Sequence, residues 1–179
     1  MNKYIIGLLV NNKYSVLTRI SSLFARRGYN IDSLTVGVTN NPEISRMTIT
    51  LAGNDHDRDQ VIKQLEKLHD VLFVKEMNHD ESVFRELVLL KVATTKANRQ
   101  EIIDAANVFR NKIIDYSPQA ITMELTGEGR KLDAFIELMS EYGILELGRT
   151  GIVSLKRGDK CLDGSDSETI KKAKKTTKK

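Results

Sequence analysis

The chain has 179 residues, 40% hydrophobic and 29% charged, with two prolines, no tryptophan and one cysteine. No apolar run approaches the roughly 20 residues of a membrane helix, and a lone cysteine, Cys161, leaves no disulfide framework or thiolate cluster. The net charge of +4 lies wholly from Arg157 onward, where eight basic residues meet four acidic ones; it reads as a solvated low-complexity end, "ETIKKAKKTTKK", with weak contact to nucleic acid or an acidic partner as the alternative.

The N-terminus runs straight into a strand pattern, Tyr4 to Val10 (YIIGLLV), without the apolar stretch and small-residue cleavage site of a signal peptide. A cytoplasmic protein is the expectation. Val16, Leu17, Ile20, Leu23 and Phe24 recur on one face of a helix that Gly28 is placed to end. Ile31 to Val38 and Ile44 to Leu51 alternate as strands, joined by Asn40-Asn41-Pro42-Glu43 as a hairpin. Val61, Ile62, Leu65 and Leu68 mark a second helix, and Val71 to Met77 a fourth strand. After the polar Asn78 to Ser82 the order begins again. Glu86 to Val92 is a strand; Ile102, Ile103, Ala106 and Phe109 mark a helix; Lys112 to Tyr116 and Ile121 to Thr126 are strands around Ser117-Pro118. Leu132, Phe135, Ile136 and Met139 mark the last helix, and Ile144 to Leu155 holds the last strand, made irregular by Gly148 and Gly151. "MTITLAG" and "ITMELTG" place Gly53 and Gly127 at matching points of an internal repeat of about 75 residues.

The fold class is therefore α+β: two ferredoxin-like βαββαβ domains, each a four-stranded antiparallel sheet with two helices on one face. The bare face of each sheet, with Leu34, Val36 and Val38 or their alternates on it, is expected to meet a partner, so the chain is expected to be an oligomer.

Catalytic groups are hard to find. His56 and His79 fall in polar loops and His69 at a helix end. His56 beside Asp55 and Asp57 is a thin case for a metal, and neither a GxxxxGK[ST] nor a GxGxxG sequence occurs. "TGEGRK", Thr126 to Lys131, reads as a turn into a helix. The central strands lack the aromatics of an RNA-recognition sheet, and the loop after the first strand lacks the arginine of an acylphosphatase.

That loop instead offers a binding corner. In "NNKYSVLTRISSLFARRGYNIDSLTVGV" the end of the first strand and the start of the second are expected to lie side by side. The helix start would attract a carboxylate. The Asn12 and Asn30 carbonyls would accept from an ammonium, and Val16, Leu17 and Ile31 would form apolar walls. Together these describe a small amino acid. The alternative is that Asn12 and Ser15 cap the helix and Asn30 turns the chain.

"FARRGYNIDSLTVG", "ISRMTITL", "FRNKIIDYSP", "KLDAFIEL" and "RTGIVSLKRG" resemble the small regulatory subunits of acetolactate synthase (acetohydroxyacid synthase), from about Met1 to Gly158. The resemblance implies an ACT domain over 1–78 that senses an amino acid and dimerises, a second ferredoxin-like domain over 83–158, and a flexible Lys-rich tail over 159–179. It implies no catalytic residue and no metal or cofactor on this chain; thiamine diphosphate, Mg and FAD belong to the catalytic large subunit, which this chain would bind and activate. Feedback inhibition by a branched-chain amino acid, usually valine, would follow from effector binding at Asn12, Ser15, Val16, Leu17, Asn30 and Ile31. Ser15 departs from the family's usual glycine, and Tyr14 adds bulk beside it. A freestanding ACT-type sensor is the alternative.

Overall fold

The computed structural model describes residues 2–165; the Lys-rich stretch from residue 166 on, expected to form a flexible tail, lies outside the described residues. The chain divides into two compact units, one made of the segments up to Phe84 and from Ile152, the other of Arg85–Gly151.

The first unit contains β1 (Asn2–Asn11), α1 (Val16–Arg27), β2 (Ser33–Val38), β3 (Ile44–Gly53), α2 (Asp55–Leu65) and β4 (Val71–Glu76). Its antiparallel sheet has the order β2-β3-β1-β4. Successive strand residues point to opposite faces. Ile6, Leu8 and Val10 of β1 and Met47, Ile49 and Leu51 of β3 therefore share the side on which Ile20, Leu23 and Phe24 of α1 and Val61 and Leu65 of α2 are buried. Each such side chain contributes about 1.5–3 kcal/mol on leaving water. A capping box starts α2: the Asn54 side chain accepts from the Asp57 N–H and the Asp57 carboxylate from the Asn54 N–H.

The second unit repeats the plan with most of β5 (Ser82–Ala93), α3 (Arg99–Val108), β6 (Lys112–Tyr116), β7 (Ala120–Gly127), α4 (Gly129–Ser140) and β8 (Ile144–Arg149), in the order β6-β7-β5-β8. Val88, Leu90, Ile121, Met123 and Phe135 lie in its core. The matching glycines have a steric reason. A Cβ on Gly53 would stand 3.1 Å from the Asp57 carboxylate, and one on Gly127 3.1 Å from the Lys131 chain, so each lets the following helix start close to its strand.

The structure decides the register of β2 and corrects other expectations. The alternates Ser33, Thr35 and Gly37 take the side away from the helices, opposite Thr50, Thr48 and Arg46, and Leu34, Val36 and Val38 do not. They pair opposite Ile49, Met47 and Ser45, on the helix side of the edge strand β2. Nor is the other face of the first sheet bare. The expected last strand breaks at Gly151, whose φ is +81°, and β9 (Val153–Lys156) pairs with β5. The Arg157 N–H donates to the Glu81 carbonyl at 2.8 Å and Lys156 pairs with the Glu81 carboxylate. This strap, residues 152–165, lies on the first sheet away from the helices. Arg46 Nε–H donates to the Ser154 carbonyl at 2.9 Å, and Leu162, only 2% exposed, packs with Ile5, Met77 and Phe84. The division thus differs from boundaries at 78, 83 and 158: residues 83–84 and 152–158 group with the first unit, and Leu162, in the stretch expected to be a free tail, is core. The reason is that Ile5 and Leu9 make the second face of β1 apolar, and it needs cover.

Replacing Leu162 by alanine should lower the unfolding free energy by about 2–3 kcal/mol, as for other buried leucines. Denaturant unfolding of the full chain measures this, and an unchanged midpoint would mean that Leu162 is not seated.

Candidate functional site

The loop after β1 is tied down residue by residue. Asn11 N–H donates to the Asp70 carbonyl at 2.9 Å, and Asp70 pairs with Arg19 of α1 at 2.6 Å. Asn12 clasps the β2–β3 turn: its backbone N–H donates to the Glu43 carbonyl at 2.7 Å and its Nδ2 to the Pro42 carbonyl at 2.8 Å. Its Oδ1 accepts from the Ser45 hydroxyl at 3.1 Å. A carboxamide oxygen has two lone pairs, so one hydroxyl leaves room for a second donor.

Tyr14 is 96% exposed at the tip of the loop. Ser15 sits at the N-cap of α1 with φ 68° and ψ −6°, and its side chain makes no capping hydrogen bond. The capping alternative is therefore absent at both residues: Asn12 binds the neighbouring turn and Ser15 turns the chain through a left-handed conformation. This is the backbone region that glycine enters without penalty. The first turn of α1 holds no acidic residue, so its N–H groups and dipole are not neutralised by a side chain of that turn. Val16 is buried and Leu17 is 46% exposed.

The second corner is built differently. Gly28, φ 70°, ends α1 with its N–H on the Ala25 carbonyl, and Tyr29 N–H reaches the Phe24 carbonyl. Asn30 is exposed and donates to Asp32 Oδ1 at 3.3 Å; Ile31 is half-buried against the core. The chain enters β2 as the Asp32 N–H bonds the Thr50 carbonyl.

The two corners are not side by side in one chain, which corrects the expectation from the sequence. Asn11 pairs opposite Ile44, at one end of β3, whereas Ser33 pairs opposite Thr50, six residues further along. At about 3.4 Å per residue that is roughly 20 Å, and the 12-residue α1 spans a similar length. Asn12, Ser15, Val16 and Leu17 form a cluster at the start of α1; Asn30 and Ile31 lie at its far end. Between them runs the free edge of β2, with Val36 and the 60% exposed Val38 on the helix side.

A hollow of about 110 Å³ opens between α1 and the turn before β4, lined by Val16, Arg19, Ile20, Leu68 and Asp70 among others. Only Val16 of the six predicted residues lines it, and two of its charged residues, Arg19 and Asp70, already pair with each other. No group of three or more His, Cys, Asp and Glu that could hold a metal occurs among the described residues, and Cys161 is free and exposed. No helix among them is long and apolar enough to cross a membrane. Reasoning from the sequence missed Ser45 and Asp70, which hold the loop. "ISRMTITL" carries the signal for Ser45, a hydroxyl among residues of the apolar face.

Comparison with known proteins adds two family models and several relatives. Residues 6–73 match the AHAS small subunit-like ACT domain, and residues 85–158 match the small subunit of acetolactate synthase. A probable acetolactate synthase small subunit of Methanothermobacter thermautotrophicus is 46% identical over 89% of this chain and 95% of its own. The acetolactate synthase small subunit of Mycolicibacterium smegmatis is 45% identical over 86% and 90%. The crystal structure of the small subunit from Thermotoga maritima superposes with a TM-score of 0.82 at 38% identity, covering 88% of this chain and 99% of that one.

Exchanging Ser15 for glycine should raise stability by about 0.5–1 kcal/mol, the left-handed penalty less the larger chain entropy of glycine. Thermal unfolding tests this; a lower midpoint would argue against a left-handed Ser15.

Proposed function

The chain belongs to the family of acetolactate synthase small subunits, and from that premise we propose that it is a non-catalytic regulatory subunit that activates its catalytic partner and confers feedback inhibition by a branched-chain amino acid, valine foremost. It would act in the cytoplasm. Thiamine diphosphate, magnesium and flavin belong to the large subunit; this chain supplies the sensor.

The observation that carries the reading is the separation of the two site halves by the length of α1, along a free edge strand with exposed valines. Two copies paired edge to edge through β2 about a two-fold axis would run their α1 helices antiparallel. The start of one α1 would then meet the end of the other. Each of two equivalent sites would take Asn12, Ser15, Val16 and Leu17 from one protomer and Asn30 and Ile31 from its partner. Exposed Val36, Val38 and Leu17 supply apolar surface for such a contact. The unneutralised helix start receives the effector carboxylate, and the carboxamide oxygens receive its ammonium. Ser15 narrows the approach relative to glycine, which favours a small side chain such as that of valine.

Effector binding alters the catalytic subunit only as far as its affinity differs between two arrangements of the complex, and a coupling of about 1–3 kcal/mol suffices.

Asn12→Ala and Asn30→Ala should each weaken valine binding by about 10- to 100-fold, as expected for one lost partner of a buried charged group. Mixing the two variant chains should restore saturable binding, because the heterodimer carries one site with both asparagines. Calorimetry on the mixture is decisive: no recovery would mean that the two asparagines do not meet across a dimer.

A further inference from the structure

We propose that Ser45 and Arg46, neighbours on β3, form a relay between the Asn12 loop and the strap, with Arg46 as the positioning residue that holds the strap. The effector-dependent half of this inference rests on the sensor reading of the Asn12 loop; the mechanical half does not.

Adjacent strand residues point to opposite faces of a sheet. Ser45 points to the helix side, where it is buried and donates its hydroxyl proton to Asn12 Oδ1 at 3.1 Å. Arg46 points to the other side, where its Nε–H donates to the Ser154 carbonyl at 2.9 Å. Thr48, next on that face, lies 3.3 Å from the Ser154 hydroxyl. One residue step of backbone thus separates the clasp on the loop from the clasp on the strap.

The strap clasp is poised rather than tight. Burial pushes the Arg46 pKa below its ordinary value, and its Nη2 is buried without a hydrogen-bond partner among the described residues. A partly buried guanidinium that bonds one main-chain carbonyl and leaves a buried nitrogen unpartnered gains little over its hydrated state, so a small shift of β3 changes the balance. An ammonium that draws on the Asn12 carbonyl competes with Ser45 and loosens the hold of Asn12 on the turn at Pro42 and Glu43. That turn leads directly into Ser45 and Arg46. The strap is the segment by which the chain re-enters the first unit after Gly151, so its seating reports the state of the loop to the rest of the chain.

The test is hydrogen exchange of strap amides 152–158 in the full chain, for the native protein, Asn12→Ala, Ser45→Ala, Arg46→Met and the Asn12→Ala/Arg46→Met double variant. Each single variant should speed strap exchange by about 10-fold or more through local opening, and the double variant should do no more than Arg46→Met alone. Unchanged strap exchange in Asn12→Ala and Ser45→Ala overturns the relay, as do strictly additive effects. Ser45→Ala keeps the core strand apolar, so it decides the matter even if Arg46→Met folds poorly. In complex with the catalytic subunit, Arg46→Met should still bind L-valine yet show no further change of activity on binding it; a native response to L-valine overturns the proposal. If the native chain binds none of L-valine, L-leucine and L-isoleucine, the sensor reading fails, while exchange in Asn12→Ala still decides the relay.

Discussion

A strand–helix–strand crossover carries the chain up one strand, back along the helix and up the next. The loop before the helix and the loop after it must then lie at opposite ends of the sheet. In this chain β1 and β2 run parallel on either side of β3, with α1 as the return. Everything about the candidate site follows from that constraint. Asn12 and Asn30 are close in sequence, similar in chemistry and about a helix length apart. A second copy with two-fold symmetry is the simplest way to turn two distant halves into complete sites, because the symmetry presents each end of α1 to the opposite end of its partner. The exposed valines of β2 stand on the edge such a contact would use.

The two faces of the first sheet carry different loads. On the helix side sits an ordinary core, with Phe24, Ile49 and Leu51 fully enclosed. The opposite side is closed by the strap, through Leu162, Phe84 and Met77 against Ile5. Gly7 faces this side, where a Cβ would stand 3.0 Å from the Met77 sulfur. The same face also buries Thr48 and Thr50 beside Arg46, so it is partly polar. That mixture suits a cover that is seated by hydrogen bonds at one end and by a leucine at the other, and that can loosen without unfolding the helix-side core.

The helices and most strands were legible in the sequence because each buries one face and so leaves its period in the residues. The strap was not, for a physical reason. Its anchoring at Ser154 uses a main-chain carbonyl, which has no residue signature, and its outward residues, Val153 and Leu155, are the apolar ones. Leu162 lies in a polar stretch that reads as tail. One signal was nevertheless present: YIIGLLV is apolar at consecutive positions, whereas a strand with one bare face alternates. Ile5 and Leu9 announce a second cover. The separation of the two asparagine corners is not legible in residue chemistry, because strand direction, not side-chain type, decides which loops meet. The left-handed turn at Ser15, by contrast, agrees with a loop position where relatives were expected to carry glycine.

The internal repeat builds the same corner in two ways. In both units the loop after the central strand is clasped to the following hairpin at a proline carbonyl. In the first unit the donor is the short carboxamide of Asn12 on Pro42. In the second it is the guanidinium of Arg99, from the first turn of α3, on Pro118. Arg99 also reaches Thr94 Oγ1 and stacks over Tyr116 with 5.2 Å to the ring centroid. The long cation fills that corner and places a fixed positive charge at the helix start. Thr95 N–H is meanwhile closed onto Asn98 Oδ1. The carboxamide does the same mechanical work without filling the space, and the left-handed Ser15 swings the chain out so that Tyr14 stands in solvent. The clasp is thus common to both repeats, and the identity of its donor decides whether the corner is filled by the protein itself or left open.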